Sequence, residues 1–112
     1  MAEATKPTIT SPIRRDDERH RYEIVDEGKL AGFVQYVTRP GKVILVHTQM
    51  DPAFEGRGLA SQLARAALDD IRGRGLLVVP LCPFIERYIE RHPEYDDLVD
   101  HEALAALAKE RR

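Results

Sequence analysis

Apolar positions along the chain switch between a period of two and a period of three to four. Residues 20–26 (His-Arg-Tyr-Glu-Ile-Val-Asp) read as a first strand, and Glu27-Gly28-Lys29 supplies a turn. Residues 30–37, rich in β-branched and aromatic side chains, predict a second strand. Arg39-Pro40-Gly41-Lys42 is a turn signature, and residues 43–50 predict a third strand. Three strands joined by short turns imply an antiparallel meander. From Gly58 to Ile71 the apolar residues are Leu59, Ala60, Leu63, Ala64, Ala67, Leu68 and Ile71. That is the spacing of an amphipathic helix, with Gly73 and Gly75 at its end. Residues 76–81 are a continuous apolar run bounded by Gly75 and Pro83, the pattern of a fully buried strand. A helix between two strands is a crossover, so this strand should run parallel to its partner. Residues 84–91 predict a second helix ended by His92-Pro93. Asp100 to Lys109 predicts a third, with Asp100 as N-cap.

The expected fold class is therefore α+β with a mixed sheet: three antiparallel strands, helix, parallel strand, helix and a helical tail. Residues 1–18 show neither period and contain Pro7, Pro12 and a charged run, so they read as a flexible leader to a single domain over residues 19–112. A length of 112 residues suits one compact domain, which at this size buries roughly two-thirds of its unfolded surface.

Composition narrows the function. The chain is 43% hydrophobic and 32% charged, with 17 basic and 19 acidic residues and a net charge of -2. No basic field points to nucleic acid or to an anionic membrane. No apolar stretch is long enough to span a bilayer, and the N-terminus lacks the apolar run of a secretory signal. Cys82 is the one cysteine, so no intrachain disulfide forms, and the expected location is the cytoplasm. No His, Cys and Asp set has metal-ligand spacing.

The most informative segment is the turn Glu55-Gly56-Arg57-Gly58-Leu59-Ala60, between a strand and a helix. The first turn of a helix has unpaired N–H groups and a positive dipole end. Gly56 and Gly58 present no side chain to an approaching anion, so backbone amides could surround a phosphate or pyrophosphate. Arg57 would add a cation. On the glycines alone, a simple strand-to-helix turn fits equally well. A Walker loop needs Gly-Lys-Ser/Thr, which is absent, and a dinucleotide fingerprint should follow the first strand of a βαβ unit.

Three antiparallel strands followed by this turn and helix resemble the GNAT acetyltransferase superfamily, whose pyrophosphate loop has the form Gln/Arg-x-x-Gly-x-Gly/Ala. Glu55 stands at the position of the Gln or Arg. A closer resemblance is to small single-domain GNAT-like proteins. It rests on His47-Thr48-Gln49-Met50, the glycine loop, Cys82-Pro83-Phe84 and His92-Pro93-Glu94-Tyr95, over about residues 20–99. The resemblance implies an acetyl-CoA-dependent N-acetyltransferase. Its pantetheine would lie where the third strand (Val46, Thr48, Met50) splays from the fourth, ending near Cys82. Its pyrophosphate would sit on the loop and first helical turn (Glu55, Gly56, Arg57, Gly58, Leu59, Ala60, Ser61).

Three side chains are candidates for the chemistry. Cys82 is a nucleophile that could take the acetyl group, or a small apolar residue at a strand end. His47, on a strand face with Val43 and Leu45, is a base for an amine or for the Cys82 thiol, or a structural histidine. Tyr88 could protonate the departing sulfur, as a tyrosine does in many GNAT enzymes, or pack against the first helix. His92 and Tyr95 read as helix terminators. The resemblance also implies missing parts: acceptor-contacting helices between the first two strands and a final strand pair. The acceptor side should be open to a protein lysine, an N-terminus or a polyamine. Two other functions remain: a non-catalytic coenzyme A-binding or protein-interaction module, and an acetyl-CoA hydrolase using Cys82.

Overall fold

The computed structural model describes residues 13–110. Five strands form one sheet in the order β1 (Ile13–Asp16), β2 (Arg21–Asp26), β3 (Lys29–Arg39), β4 (Lys42–Met50) and β5 (Leu77–Pro80). Neighbours from β1 to β4 are antiparallel, and β5 runs parallel to β4. Helix α1 (Leu59–Gly73) makes the crossover between them. Helix α2 (Pro83–Arg91) and α3 (His101–Glu110) follow. Short 3₁₀ helices cover Pro52–Phe54 and Pro93–Leu98.

The mixed α+β sheet, the crossover and the three helices match the sequence expectation. The antiparallel part has four strands rather than three. The extra strand, Ile13–Asp16, lies inside the segment expected to be a loose leader; residues 1–12 of that segment fall outside the described residues. Its sequence, Ile-Arg-Arg-Asp, shows no apolar-polar alternation, so periodicity does not predict it. Backbone pairing with Arg21 to Ile24 holds it, and two of its side chains are anchored by ions. Arg14 reaches Glu23 at 2.7 Å and Arg15 reaches Asp70 at 2.8 Å.

One face of the sheet carries Tyr22, Ile24, Val34, Val43, Leu45 and Val78. It packs on the apolar stripe of α1, where Leu63, Ala64, Ala67, Leu68 and Ile71 are essentially fully buried. Tyr22 joins sheet to helix a second way: its hydroxyl donates to Asp70 at 2.7 Å. Helix α2 adds Ile85, Tyr88 and Ile89 to the same core. Helix α3 packs on β5, with Asp100 capping it through the Ala103 amide at 3.0 Å, as the sequence suggests.

The Asp70 carboxyl lies below the usual carboxylate range. Partial burial opposes this, but the Tyr22 hydroxyl and the Arg15 and Arg74 guanidiniums outweigh it. A folded-state value below the unfolded one gives stability that is present above about pH 4 and lost as pH falls through the folded value. The urea midpoint of the native protein should therefore fall as pH is lowered from about 5 to about 3. Asp70→Asn should start less stable and show a shallower fall. An equal pH dependence in both proteins would contradict this linkage.

Candidate functional site

The site is built where β4 leaves β5. Pairing between them runs from Lys42 to Leu45 and no further among the described residues. The Leu81 amide makes the last rung, onto the Leu45 carbonyl at 3.0 Å, and the Cys82 amide turns onto the same carbonyl at 3.0 Å as α2 begins. On the other side of β4 the register with β3 jumps from Gln35↔His47 to Tyr36↔Leu45. Val46 is thus an unpaired extra residue, a β-bulge, and is exposed. From there β4 continues to Met50 paired with β3 alone.

The bulge changes which side chains meet. Sequence alternation puts His47 on the face of Val43 and Leu45, but the extra residue shifts the period by one. Thr48 and Met50 continue the core-side row, while His47 is exposed on the opposite face. Consequently Thr48, rather than His47, meets the cysteine: Thr48 Oγ1 is 3.1 Å from Cys82 Sγ. Cys82 is buried and forms the N-cap of α2. His47 instead has Gln49 at 3.5 Å and sits edge-on to Phe33, ring centres 6.4 Å apart.

Past Met50 the chain enters the glycine turn. Gly56 and Gly58 have φ of 85° and 72°, a left-handed backbone that side-chain-bearing residues adopt at a cost of about 1–2 kcal/mol. A Cβ at either would meet nothing within 4 Å, so both open onto free space. The first helical bond of α1 runs from the Gln62 amide to the Gly58 carbonyl at 3.2 Å. The amides of Leu59, Ala60 and Ser61 precede it. A recess of about 250 Å³ lies against them, walled by Met50, Phe54, Glu55, Gly56, Gly58 and the start of α1.

Arg57 is not part of that wall. Its guanidinium bonds Asp26 at 2.9 Å and Glu27 at 3.3 Å, on the turn between β2 and β3, and lies over the Phe54 ring at 5.1 Å. The cation that sequence spacing placed beside an anion thus braces the loop to a hairpin 30 residues earlier. Neither those carboxylates nor Phe54 carries a sequence signal for this role, because the contact depends on the sheet.

Tyr88 faces α1 and the Pro93–Leu98 segment. It stacks on His92 at 4.0 Å and lies 6.2 Å from Tyr95. Its burial raises its pKa. His92 caps α2, and the Tyr95 hydroxyl donates to Asp69 at 2.6 Å. No group of three metal-ligating side chains stands together among the described residues, and no helix there is long and apolar enough to cross a membrane.

The sequence pattern of the GCN5-related N-acetyltransferases matches residues 21–98. The chain belongs to that family. Its relatives include the mouse protein NATD1, 34% identical over 100 residues and covering 83% of this chain and 91% of the relative. Human protein NATD1 is 39% identical over 91 residues, covering 73% and 76%. Among solved structures, a GCN5-like putative N-acetyltransferase from Staphylococcus aureus superposes with a TM-score of 0.61 at 20% identity, over 79% of this chain and 86% of that one. The ribosomal-protein-S18-alanine N-acetyltransferase of Escherichia coli superposes at 0.53 and 22% identity, over 59% and 44%. These two likenesses confirm the fold. Family membership makes the protein an acetyltransferase, and acetyl-CoA is the family's usual acetyl donor.

Close packing fixes the end of β4. A Cβ on Gly32 would lie 2.2 Å from Met50 Sδ and 2.8 Å from the Gln49 carbonyl oxygen. The thioether can move, but the backbone carbonyl cannot without separating β3 from β4. Gly32→Ala should therefore cost about 1–3 kcal/mol, read from urea unfolding. An unchanged midpoint would show that the strands absorb the methyl freely.

Proposed function

We propose that the protein moves an acetyl group from acetyl-CoA to an amine acceptor, with the recess at the start of α1 holding the coenzyme A pyrophosphate. The parting of β4 from β5 at Leu45, leading into that recess, is the observation that carries this reading. The recess suits the group: the helix end supplies amides and a positive dipole, and the two glycines leave open space where a Cβ would stand. In this reading the amides of Gly56 to Ser61 bind the pyrophosphate, and Glu55 borders it. Val46, Thr48 and Met50 line the pantetheine path, with Cys82 at its inner end. Arg57 serves by holding the loop in shape. The lone, unpaired Cys82 thiol suits a reducing cytoplasmic setting.

The contact between Thr48 and Cys82 supports a route through the cysteine. The Cys82 sulfur would form a thioester with the acetyl carbon as the bond from that carbon to the coenzyme A sulfur breaks. The thiol proton would leave with the coenzyme A. An amine would then take the acetyl group and return a proton to Cys82. Direct attack by the amine is the alternative, and in that reading His47, exposed beside the bulge, would accept the amine's proton. We assign Tyr88 to packing, because its contacts are with His92, Tyr95 and the α1 side.

Calorimetric titration with acetyl-CoA tests the first step. Absence of binding at roughly 1 mM, the upper end of ordinary substrate affinities, would overturn the proposal. Gly58→Ala carries the backbone cost alone, while Gly58→Glu adds bulk and negative charge. We expect binding to survive the first and to weaken at least about tenfold in the second, a loss of about 1.4 kcal/mol. Equal affinities would remove the pyrophosphate from this loop. Free thiol release, followed with and without amines, separates the outcomes. Amine-dependent release supports a transferase, and acceptor-free release abolished by Cys82→Ser supports a hydrolase. Binding without release supports a non-catalytic module. Tyr88→Phe should leave the rate within about twofold, whereas loss of a positioned acid costs about 100-fold or more.

A further inference from the structure

The sheet has a second face, and its side chains form two ordered rows. Cross-strand partners place Arg14, Glu23, Phe33 and Gln49 in one row. Asp16, Arg21, Gln35 and His47 form the other. The contacts between them agree with this placement. Arg21 bonds Glu23 at 2.6 Å and covers the Phe33 ring at 4.5 Å, and that ring meets His47 edge-on. Helices α1 and α2 pack on the other side, and α3 packs on β5. On the Arg21–Phe33–His47 platform, Arg21 and Phe33 are half-buried, and His47, Gln35 and Gln49 are exposed.

The charges of this face are unequal. Its carboxylates, Asp16 and Glu23, are engaged. Asp16 accepts from Arg19 at 3.1 Å. Glu23, 1% exposed, accepts from both Arg14 and Arg21. Burial pushes the Glu23 carboxyl up, yet the two guanidiniums hold it below the usual range. At the margin of the face, a recess of about 430 Å³ gathers Arg19, His20, Gln35 and Arg39. The Arg39 guanidinium bonds the Thr38 carbonyl, a neutral acceptor. Arg14, Arg19 and Arg21 meet carboxylates, whereas Arg39 meets only that neutral carbonyl, so its charge is left uncompensated among the described residues. The whole chain carries -2.

We propose that this face docks the acceptor, and that the acceptor is an acidic polypeptide segment whose amine is flanked by aspartate or glutamate. The inference rests on the acetyl-transfer reading and goes beyond it by naming the substrate class. Exposed amides of Gln35 and Gln49 suit the polar backbone of an extended peptide. The uncompensated Arg39 guanidinium suits its carboxylates. His47 and the Val46 bulge join this face to the gap beside Cys82, so a docked amine lies next to the reacting position.

The test uses the full chain and short peptides that differ only in whether aspartate, serine or arginine flanks a single lysine. Binding is followed by backbone amide shifts, without turnover. The aspartate peptide should bind tightest, shift Arg21, Phe33, Gln35 and His47, and weaken as salt rises. Arg39→Gln should weaken it about two- to fivefold, the scale of one exposed charge contact, while leaving acetyl-CoA binding unchanged. The inference is overturned if the arginine or serine peptide binds as well, or if the shifts map to another face. Acetyl-CoA binding is measured separately. Peptide binding with no acetyl transfer would remove the enzymatic reading and leave only a docking surface for acidic peptides, which overturns the acceptor assignment.

Discussion

The parting of β4 from β5 at Leu45 governs the rest of the molecule. A parallel pair held to its full length would close the sheet and leave no path between its edges. Here the Leu81 and Cys82 amides both end on the Leu45 carbonyl. Val46 adds a residue that β3 cannot match. The two strands then diverge with β4 still anchored on its other edge. The divergence is stable because the ladder on the β3 side and the core beneath it carry the packing.

From that one defect follow two chemically different faces. Toward α1 and α2 lie Thr48 and Cys82, in contact and mostly buried. Away from them lie exposed His47 and the half-buried Phe33 and Arg21. Adjacent residues of one strand thus serve opposite sides of the sheet.

The glycine loop is held from outside itself. Its left-handed turns set the backbone path, but Arg57 fixes that path to the rest of the fold through Asp26, Glu27 and the Phe54 ring. Each exposed pair alone contributes little; the guanidinium gains by making both pairs and the ring contact from one position. The sheet end on which the loop rests is equally constrained, since Met50 packs directly on Gly32.

Periodicity was enough to read β2 to β5, all three helices, the parallel crossover and the Asp100 cap, because each buries one regular face. The glycine turn and Cys82-Pro83 were legible for a related reason: their backbone and side-chain demands are local. The strand at Ile13–Asp16 was not, since its stability comes from pairing and from ion contacts with residues up to 55 positions away. The Val46 bulge was invisible too. An extra residue in a strand has no composition of its own, and its effect, moving His47 off the core-side face and Thr48 onto Cys82, exists only once β3 fixes the register. Arg57 shows the same division. Sequence put a cation in the loop, and only the folded hairpin decided that its partners are carboxylates of the chain itself.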